Sequence, residues 1–332
     1  MPRALITGVT GQDGTYLRRQ LSELGWEVHG LVRPGYEGAV SDIAFLHPID
    51  LLDGPSLEKV IFDTEPDYLF NLAAISSVAQ SWESPVATGA LNGLAPIAMM
   101  NAALRVQTTI GKTVRFVQAS SSEIFGAARD VPQAEATAIA PVSPYGTAKA
   151  YAHLTARVFR SRGLFTSNCI LYNHESPLRP EQFVTRKITA GVAKIARGKS
   201  DELLLGNLDA IRDWGWAPDY VDAMVRAATA DDPDDFIVAT GVSHSVREFV
   251  VAAFAAAGVS DWEQFVGIDE RFARPSDAPE MRGDPSHITD TLGWRSTKAF
   301  TDIVASMVES DLAKLDAGPS TSVSSRSVGS EI

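Results

Sequence analysis

The sequence predicts an α/β protein with a Rossmann-type, doubly wound parallel sheet and a smaller mixed α/β substrate-binding lobe. A short apolar strand at 4–7 opens the chain and leads into a glycine-rich turn and a helix. Further short apolar runs then alternate with longer segments of helical pattern, which indicates βαβ units and therefore a parallel sheet. Beyond residue 173 the pattern changes, because polar, proline-containing segments separate shorter apolar runs.

The predicted elements follow in chain order. The first helix extends from the glycine-rich turn to about Gly25. Later strands are predicted at 27–32, 68–73, 114–119 and 165–172, and later helices at 92–105 and 145–162. Residues 1–172 are predicted to form the cofactor-binding Rossmann domain, to which some later segments return, and residues 173–316 mainly the substrate-binding lobe. Residues 317–332 are Ser-rich with almost no large apolar side chains, which predicts a disordered tail.

Composition narrows the classes of function. The chain has 332 residues, 45% hydrophobic and 21% charged, which is ordinary for a globular protein. Its net charge of −12 argues against nonspecific nucleic-acid binding. One cysteine, Cys169, allows no internal disulfide and no Cys-rich metal site, and the histidines lack metal-ligand spacing, so we expect no metal. We see no signal peptide or membrane-length apolar segment and expect a cytoplasmic protein without a membrane partner.

Tyr145 and Lys149 are four residues apart, which places them on one face of a helix. A neighbouring lysine cation is expected to stabilise the tyrosine phenolate and lower its pKa towards neutrality. A hydroxyl such as Ser121 can complete a proton relay to a substrate alcohol, and Glu123 adds a second acid/base. The same spacing also fits an amphipathic helix with a buried tyrosine and a lysine stem packed on the protein.

The turn after the first strand carries glycines at positions 8, 11 and 14. Glycine permits a tight turn and the close approach of a pyrophosphate, which the N-terminus of the next helix attracts. Arg33 follows the second strand, where an acidic residue would favour NAD, so NADP is the expected cofactor. Glu37 lies close enough to keep NAD as the less favoured alternative.

Several segments together resemble the extended short-chain dehydrogenase/reductase superfamily and, within it, the GDP-mannose 4,6-dehydratase family. The resemblance extends from about residue 2 to residue 315. The segments that carry it are 4–16, Ala119-Ser-Ser-Ser-Glu123, Ser143-Pro-Tyr-Gly-Thr-Ala-Lys149, Asn173-His-Glu-Ser-Pro177, Phe183-Val-Thr-Arg-Lys187, Gly206-Asn-Leu-Asp209, Arg212-Asp-Trp-Gly215, Gly283-Asp-Pro285 and Leu292-Gly-Trp294.

The resemblance implies roles for the matching positions. Catalytic roles fall on Ser121, Glu123, Tyr145 and Lys149. Cofactor contacts fall on Gly8, Gly11, Gln12, Asp13, Gly14, Arg33, Asp50, Leu51, Leu72, Ala73, Tyr145, Lys149, His174 and Arg179. Nucleotide-sugar contacts fall on Asn173, Lys187, Arg212, Arg274 and Asp277.

The implied reaction is an NADP-dependent 4,6-dehydration of a nucleotide hexose, most simply GDP-mannose. It comprises oxidation at C4, loss of water across C5 and C6, and reduction at C6. The alternatives are a nucleotide-sugar 4-reductase or epimerase, which would not need Glu123, a 4,6-dehydratase of a different nucleotide sugar, and a non-catalytic nucleotide-binding protein on the same fold.

One departure from the family bears on assembly. The loop 34–38 replaces a longer Ser-rich loop that helps to build a tetramer in the relatives. We therefore expect a homodimer formed by the helices around 92–105 and 145–162.

Overall fold

A computed structural model describes residues 1–36, 38, 40–269, 271 and 280–317. The strands are β1 (Arg3–Thr7), β2 (Glu27–Val32), β3 (Phe45–Pro48), β4 (Tyr68–Asn71), β5 (Arg115–Ser121), β6 (Phe165–Leu171), β7 (Asn173–Glu175), β8 (Leu203–Leu205), β9 (Ile211–Trp216), β10 (Asp235–Val238), β11 (Ser243–Ser245), β12 (Val266–Ile268) and β13 (Glu280–Met281). The α-helices are α1 (Gln12–Glu23), α2 (Gly54–Thr64), α3 (Val78–Glu83), α4 (Pro85–Gly89), α5 (Ala95–Ile110), α6 (Pro144–Ser161), α7 (Val184–Ala196), α8 (Ala217–Thr229), α9 (Val246–Ala256), α10 (Ser286–Leu292) and α11 (Phe300–Asp316).

The main layer is a parallel sheet of seven strands in the order β10-β6-β5-β4-β1-β2-β3. Its central strands are buried and strongly apolar, because helices cover both faces. The strand order reverses direction at the β1–β4 boundary, and ligands of such sheets bind at the carboxyl edge beside this point. The predicted Rossmann-type α/β fold is confirmed.

Strand β3 is absent from the elements predicted by sequence. It is only four residues long, ends in Pro48 and has no fully buried side chain, so its apolar pattern is weak. Helix α5 begins and ends later than predicted, because a π-helical turn at Ala90–Leu94 precedes it. It ends where Gly111 adopts the left-handed conformation with φ +75°.

The second half of the chain divides between two layers. Strands β7, β11 and β13 pair with β9 in a small mixed sheet, and β12 pairs with β8. Helices α7, α9 and α11 enclose a separate apolar core that includes Ile188, Phe249 and Met307. By contrast, β10 extends the large sheet, and α8 contributes Tyr220 and Met224 to the core of that sheet.

Across the described part of the chain, no helix combines the length and apolar character required to cross a membrane.

Candidate active site

The glycine-rich turn between β1 and α1 is packed so tightly that side chains are excluded. Gly8 has φ +68°, and a Cβ atom there would lie 2.8 Å from the backbone nitrogen of Ala73. A Cβ atom on Gly14 would lie 2.3 Å from the Gly8 carbonyl oxygen. The N-cap of α1 is Gly11, which has no side chain to satisfy the free N–H groups of the first turn. This cradle fits the pyrophosphate of a dinucleotide, because backbone donors and the helix dipole face the same opening.

A row of buried polar side chains crosses the carboxyl edge of the sheet behind this turn. The Thr7 hydroxyl donates to Asn71 Oδ1 at 2.7 Å, and Asn71 Nδ2 donates to Gln118 Oε1 at 2.9 Å. Thr7 Oγ1 also accepts from the backbone nitrogens of Leu72 and Ala73, at 3.1 and 3.0 Å. The row therefore ties together the three neighbouring strands β1, β4 and β5 and the loop beside the glycine turn. Our sequence predictions did not include it, although single amide residues inside apolar strand runs were a usable signal.

The four predicted catalytic residues lie together where β5 ends and α6 begins. Ser121 is the last residue of β5, and its Oγ accepts from the backbone nitrogen of Glu123 at 3.2 Å. The Ser121 hydroxyl also lies near enough to the Tyr145 phenol to lower the pKa of that phenol. A Cβ atom on Gly146 would lie 2.5 Å from the Glu123 carbonyl oxygen, so this glycine lets α6 approach the turn that carries Glu123. The site thus combines a hydroxyl, a carboxylate and a phenol.

The charge state of Tyr145 differs from the sequence-based expectation. Burial raises the pKa of Tyr145 to about 12; Ser121 and Arg179 lower it, whereas Glu123 and Asp13 raise it. The Lys149 ammonium lies 5.9 Å from the centre of the tyrosine ring and donates to the Ala119 carbonyl oxygen at 2.8 Å. Burial lowers the pKa of Lys149 itself to about 8. In the protein alone, the expected lowering of the tyrosine pKa by lysine is therefore wrong, because desolvation outweighs it.

An ion pair joins the glycine-rich turn to the second lobe. His174 Nε2 lies 2.9 Å from Asp13 Oδ2, and His174 Nδ1 lies 2.7 Å from the Tyr172 carbonyl oxygen. Burial opposes both charges, yet their pairing raises the pKa of His174 and lowers that of Asp13. Gln12 Nε2 donates to the His174 carbonyl oxygen at 3.1 Å. These contacts bring together three of the predicted cofactor residues, Gln12, Asp13 and His174, although Asp13 and His174 are 161 residues apart in the sequence.

The predicted substrate residues occupy the facing lobe. Asn173 lies in β7 opposite Trp214 of β9, two residues beyond Arg212. Arg212 is buried, and its Nη1 donates to the Ile211 carbonyl oxygen at 2.6 Å. Lys187 lies half-buried on α7, where burial lowers its pKa and Asp269 opposes that effect. Arg274 and Asp277 lie outside the described residues.

The remaining predicted cofactor residues lie at the far side of the sheet. Arg33 follows β2 and is exposed, with its guanidinium 4.8 Å from the centre of the Tyr36 ring. Asp50 and Leu51 follow β3, the neighbour of β2, and Asp50 Oδ1 accepts from the Leu52 backbone nitrogen at 2.9 Å. Glu37, the residue that kept NAD open, lies outside the described residues.

Comparison with known proteins places this arrangement in a family. Residues 5–307 match the model of the family described as GDP-mannose 4,6 dehydratase. The chain belongs to the GDP-mannose 4,6-dehydratase family. Membership in this family confirms the predicted resemblance. It also confirms the prediction that the protein is an enzyme, namely a lyase that acts as a dehydratase. Among its relatives, GDP-mannose 4,6 dehydratase 2 of Arabidopsis thaliana is 42% identical over 330 residues, covering 93% of this chain and 86% of the relative.

Two solved structures share the fold of this family member at lower identity. RMD from Pseudomonas aeruginosa, complexed with NADPH, is 21% identical with a TM-score of 0.78, covering 95% of this chain and 100% of that one. dTDP-glucose 4,6-dehydratase from Bacillus anthracis, in complex with NAD, is 16% identical with a TM-score of 0.81, covering 95% and 98%. At these identities the two structures establish the fold alone.

Proposed function

We propose that this protein converts GDP-mannose into GDP-4-keto-6-deoxymannose with loss of water. The observation that carries the proposal is the position of Glu123. The turn that carries Glu123 packs directly against Gly146, the neighbour of Tyr145 on α6, and the charge of Glu123 raises the pKa of the Tyr145 phenol. A reductase or an epimerase needs the tyrosine relay but no additional acid/base at this point, whereas removal of water across C5 and C6 needs one.

The residues divide the proton transfers between them. Tyr145 accepts the proton of the C4 hydroxyl in its phenolate form, which Ser121 and the positive charge of Arg179 favour. When bound, the nicotinamide would take hydride from C4 and return it to C6. The C4 ketone acidifies the C5 proton, which Glu123 removes and passes to the departing C6 hydroxyl, so that water leaves. A proton equivalent to the one that Tyr145 took from the C4 hydroxyl then returns to C5, which balances the reaction and leaves a 4-keto-6-deoxy sugar.

The cofactor assigned to the site is NADP. The glycine cradle and the α1 N-terminus suit a dinucleotide, and the exposed Arg33 suits a 2′-phosphate at the end of β2. Titration calorimetry of the stripped protein with both cofactors tests this assignment. NADP is expected to bind more tightly, and tighter binding of NAD would overturn the role of Arg33.

The nucleotide diphosphate would lie against the second lobe. Lys187 and Arg212 supply positive charge there, although the chain as a whole carries −12. Two cations in this lobe can attract an anionic substrate, because the field in a cleft depends on nearby charges more than on the net charge of the chain. Asn173 on the neighbouring strand adds an amide that can bond the sugar or the base.

The assembly we propose is a homodimer. Helix α6 carries Tyr151, Leu154 and Val158 as exposed apolar side chains on one face, and the exposed Leu94 precedes α5. Two copies packed on this face would bury the four side chains. Light scattering at low micromolar concentration is expected to give twice the mass of one chain, and a tetramer mass would contradict the proposal.

A substrate panel tests the reaction. The protein is incubated with GDP-, dTDP-, UDP- and CDP-hexoses, and products are identified by mass and NMR. Loss of water from GDP-mannose is the expected result. Inversion of configuration at C4 without loss of mass would favour an epimerase. Dehydration of a different nucleotide sugar, with no reaction of GDP-mannose, would make that other sugar the substrate.

A further inference from the structure

The loop between β7 and α7 carries Arg179, which lies near enough to the candidate active site for its charge to act there. Its positive charge acts on Asp13 of α1, on Tyr145 of α6 and on His174 of β7. Arg179 belongs to no regular element, so the backbone alone does not fix the direction of its long side chain. Its placement must therefore depend on the side chains that contact it.

An ion pair without hydrogen-bond geometry and a contact with an aromatic ring hold this guanidinium group. Arg179 Nε lies 3.3 Å from Glu175 Oε2, and Arg179 Cζ lies 3.8 Å from the centre of the Phe183 ring. The Glu175 side chain is only 1% exposed. The Thr185 hydroxyl donates to the same Oε2 atom at 2.6 Å and fixes the carboxylate from α7. A buried carboxylate held by a neutral donor and facing a cation is a costly arrangement, which structural packing alone does not require.

We propose that Glu175 is a positioning residue, whose buried carboxylate holds the Arg179 guanidinium against the glycine-rich turn and Tyr145. Glu175 acts through Arg179 and has no contact with substrate in this proposal. It rests on the proposed function, because the consequence is for cofactor binding and for proton removal by Tyr145.

The charges around Glu175 and Arg179 determine in which direction loss of Glu175 would change the pH profile of C4 oxidation. Arg179 lowers the pKa of Tyr145, whereas Glu123 and Asp13 raise it. If Arg179 swings away, the phenolate loses this stabilisation and the midpoint of the pH profile for C4 oxidation moves upward. If Arg179 stayed in place without Glu175, the midpoint would stay unchanged or move downward, because a negative charge has been removed.

The test uses Glu175→Gln, Arg179→Gln and the double variant, with Glu181→Gln as a matched control, because Glu181 is an exposed carboxylate of the same loop. Cofactor affinity is measured by titration calorimetry without any sugar. C4 oxidation is measured by single-turnover absorbance of the reduced nicotinamide from about pH 6 to 11. The range reaches this high because the pKa of Tyr145 is about 12 in the protein alone, and a bound cationic nicotinamide would lower it.

The Glu175→Gln variant is expected to bind the nicotinamide cofactor about tenfold more weakly, as for loss of one charged hydrogen bond. Its pH midpoint should rise by about one pH unit, the effect of displacing one nearby opposite charge. In the Arg179→Gln background, Glu175→Gln should change neither quantity further, and Glu181→Gln should behave as wild type. Wild-type affinity and pH profile in Glu175→Gln, or equal effects with and without Arg179, would overturn the proposal.

Two further outcomes separate this proposal from the function on which it rests. If no sugar nucleotide reacts but Glu175→Gln weakens cofactor binding only when Arg179 is present, the positioning role stands and the assigned reaction fails. If Glu175→Gln does not fold, Thr185→Val replaces it, because this change removes one hydrogen bond and keeps the charge. A smaller loss of affinity that requires Arg179 then supports the proposal, and wild-type affinity overturns it.

Discussion

Polar groups cluster around both ends of helix α6, and the two clusters differ in how completely the charges of their buried members are paired. At the N-terminal end, burial raises the pKa of Tyr145 to about 12 and lowers that of Lys149 to about 8, so the charged form of each is disfavoured. At the other end, Asp235 accepts from Asn168 Nδ2 at 2.7 Å and pairs with Arg157 and Arg160.

Burial alone would raise the pKa of Asp235, but His153, Arg160 and Asn168 outweigh it and lower the pKa. At the N-terminal end of α6, the charged forms of Tyr145 and Lys149 would therefore be stabilised by the charges of a bound ligand, as expected of a reactive site. The C-terminal end packs against Asp235 of β10, a carboxylate whose charge is already compensated, as expected of a structural cluster. The variants below separate these two roles, from the largest expected effect to the smallest.

Tyr145→Phe should remove the base from the reactive end while keeping the ring in place. We expect product formation to fall by about 10⁴-fold, the upper range for loss of a general base. No reduced nicotinamide should accumulate in single-turnover absorbance, and the melting temperature should stay close to that of wild type. Formation of reduced cofactor at the wild-type rate would remove Tyr145 from the first step.

Glu123→Gln, at the same end of the helix, should separate oxidation at C4 from the loss of water. Loss of water should slow by about 10²–10⁴-fold, as for loss of a positioned acid/base. Oxidation at C4 should remain, because Tyr145 and Ser121 are unchanged. Nicotinamide absorbance combined with mass analysis for water loss measures both steps. Dehydration at the wild-type rate would make Glu123 structural and favour the reductase or epimerase interpretation.

Asp235→Asn should act on the other end and leave the chemistry intact. It removes the charge shared by Arg157 and Arg160, which should lower the free energy of unfolding by about 3 kcal/mol. Denaturant unfolding measures that loss, and kcat per folded molecule should equal that of wild type. A variant of unchanged stability but low kcat would reverse the assignment of the two ends.

His153→Gln should change only the acid stability of the same cluster. Burial lowers the pKa of His153 to about 4, so its neutral form stabilises the fold above the unfolded pKa of about 6.5, and this contribution is lost as the pH falls through about 4. From pH 7 to pH 4 this residue should cost wild type about 3 kcal/mol of unfolding free energy. Denaturant unfolding at both pH values should show a smaller loss for His153→Gln.

A matched control for this pH prediction is His287→Gln, because His287 is partly exposed and lies 3.0 Å from Asp234 at the surface. It should keep the acid sensitivity of wild type. Equal acid sensitivity in His153→Gln and wild type would place the titrating group elsewhere.

The same contrast explains what the sequence could and could not predict. The Rossmann-type sheet and the glycine-rich turn depend on local patterns of apolar residues and glycine, and both are found in the structure. The direction of the Tyr145 pKa depends on burial by distant segments, which the spacing to Lys149 does not contain. The Asp13–His174 ion pair requires the second lobe to fold against the first, so no local pattern indicated it. Glu175 and Arg179 are only four residues apart, but they lie at a strand end and in a loop, where this spacing predicts no contact. The roles assigned to the site residues stay predictions until the variants are measured.

The most direct measurement follows a deuterium atom from C4 of GDP-mannose. The proposed reaction moves hydrogen from C4 to C6 within one molecule and releases water, with no net consumption of reduced cofactor. Substrate labelled with deuterium at C4 should therefore give a 4-keto-6-deoxy product that carries the label at C6, as read by NMR and mass. Label retained at C4, or lost to solvent without loss of water, would contradict the assignment of this chain as a nucleotide-sugar 4,6-dehydratase.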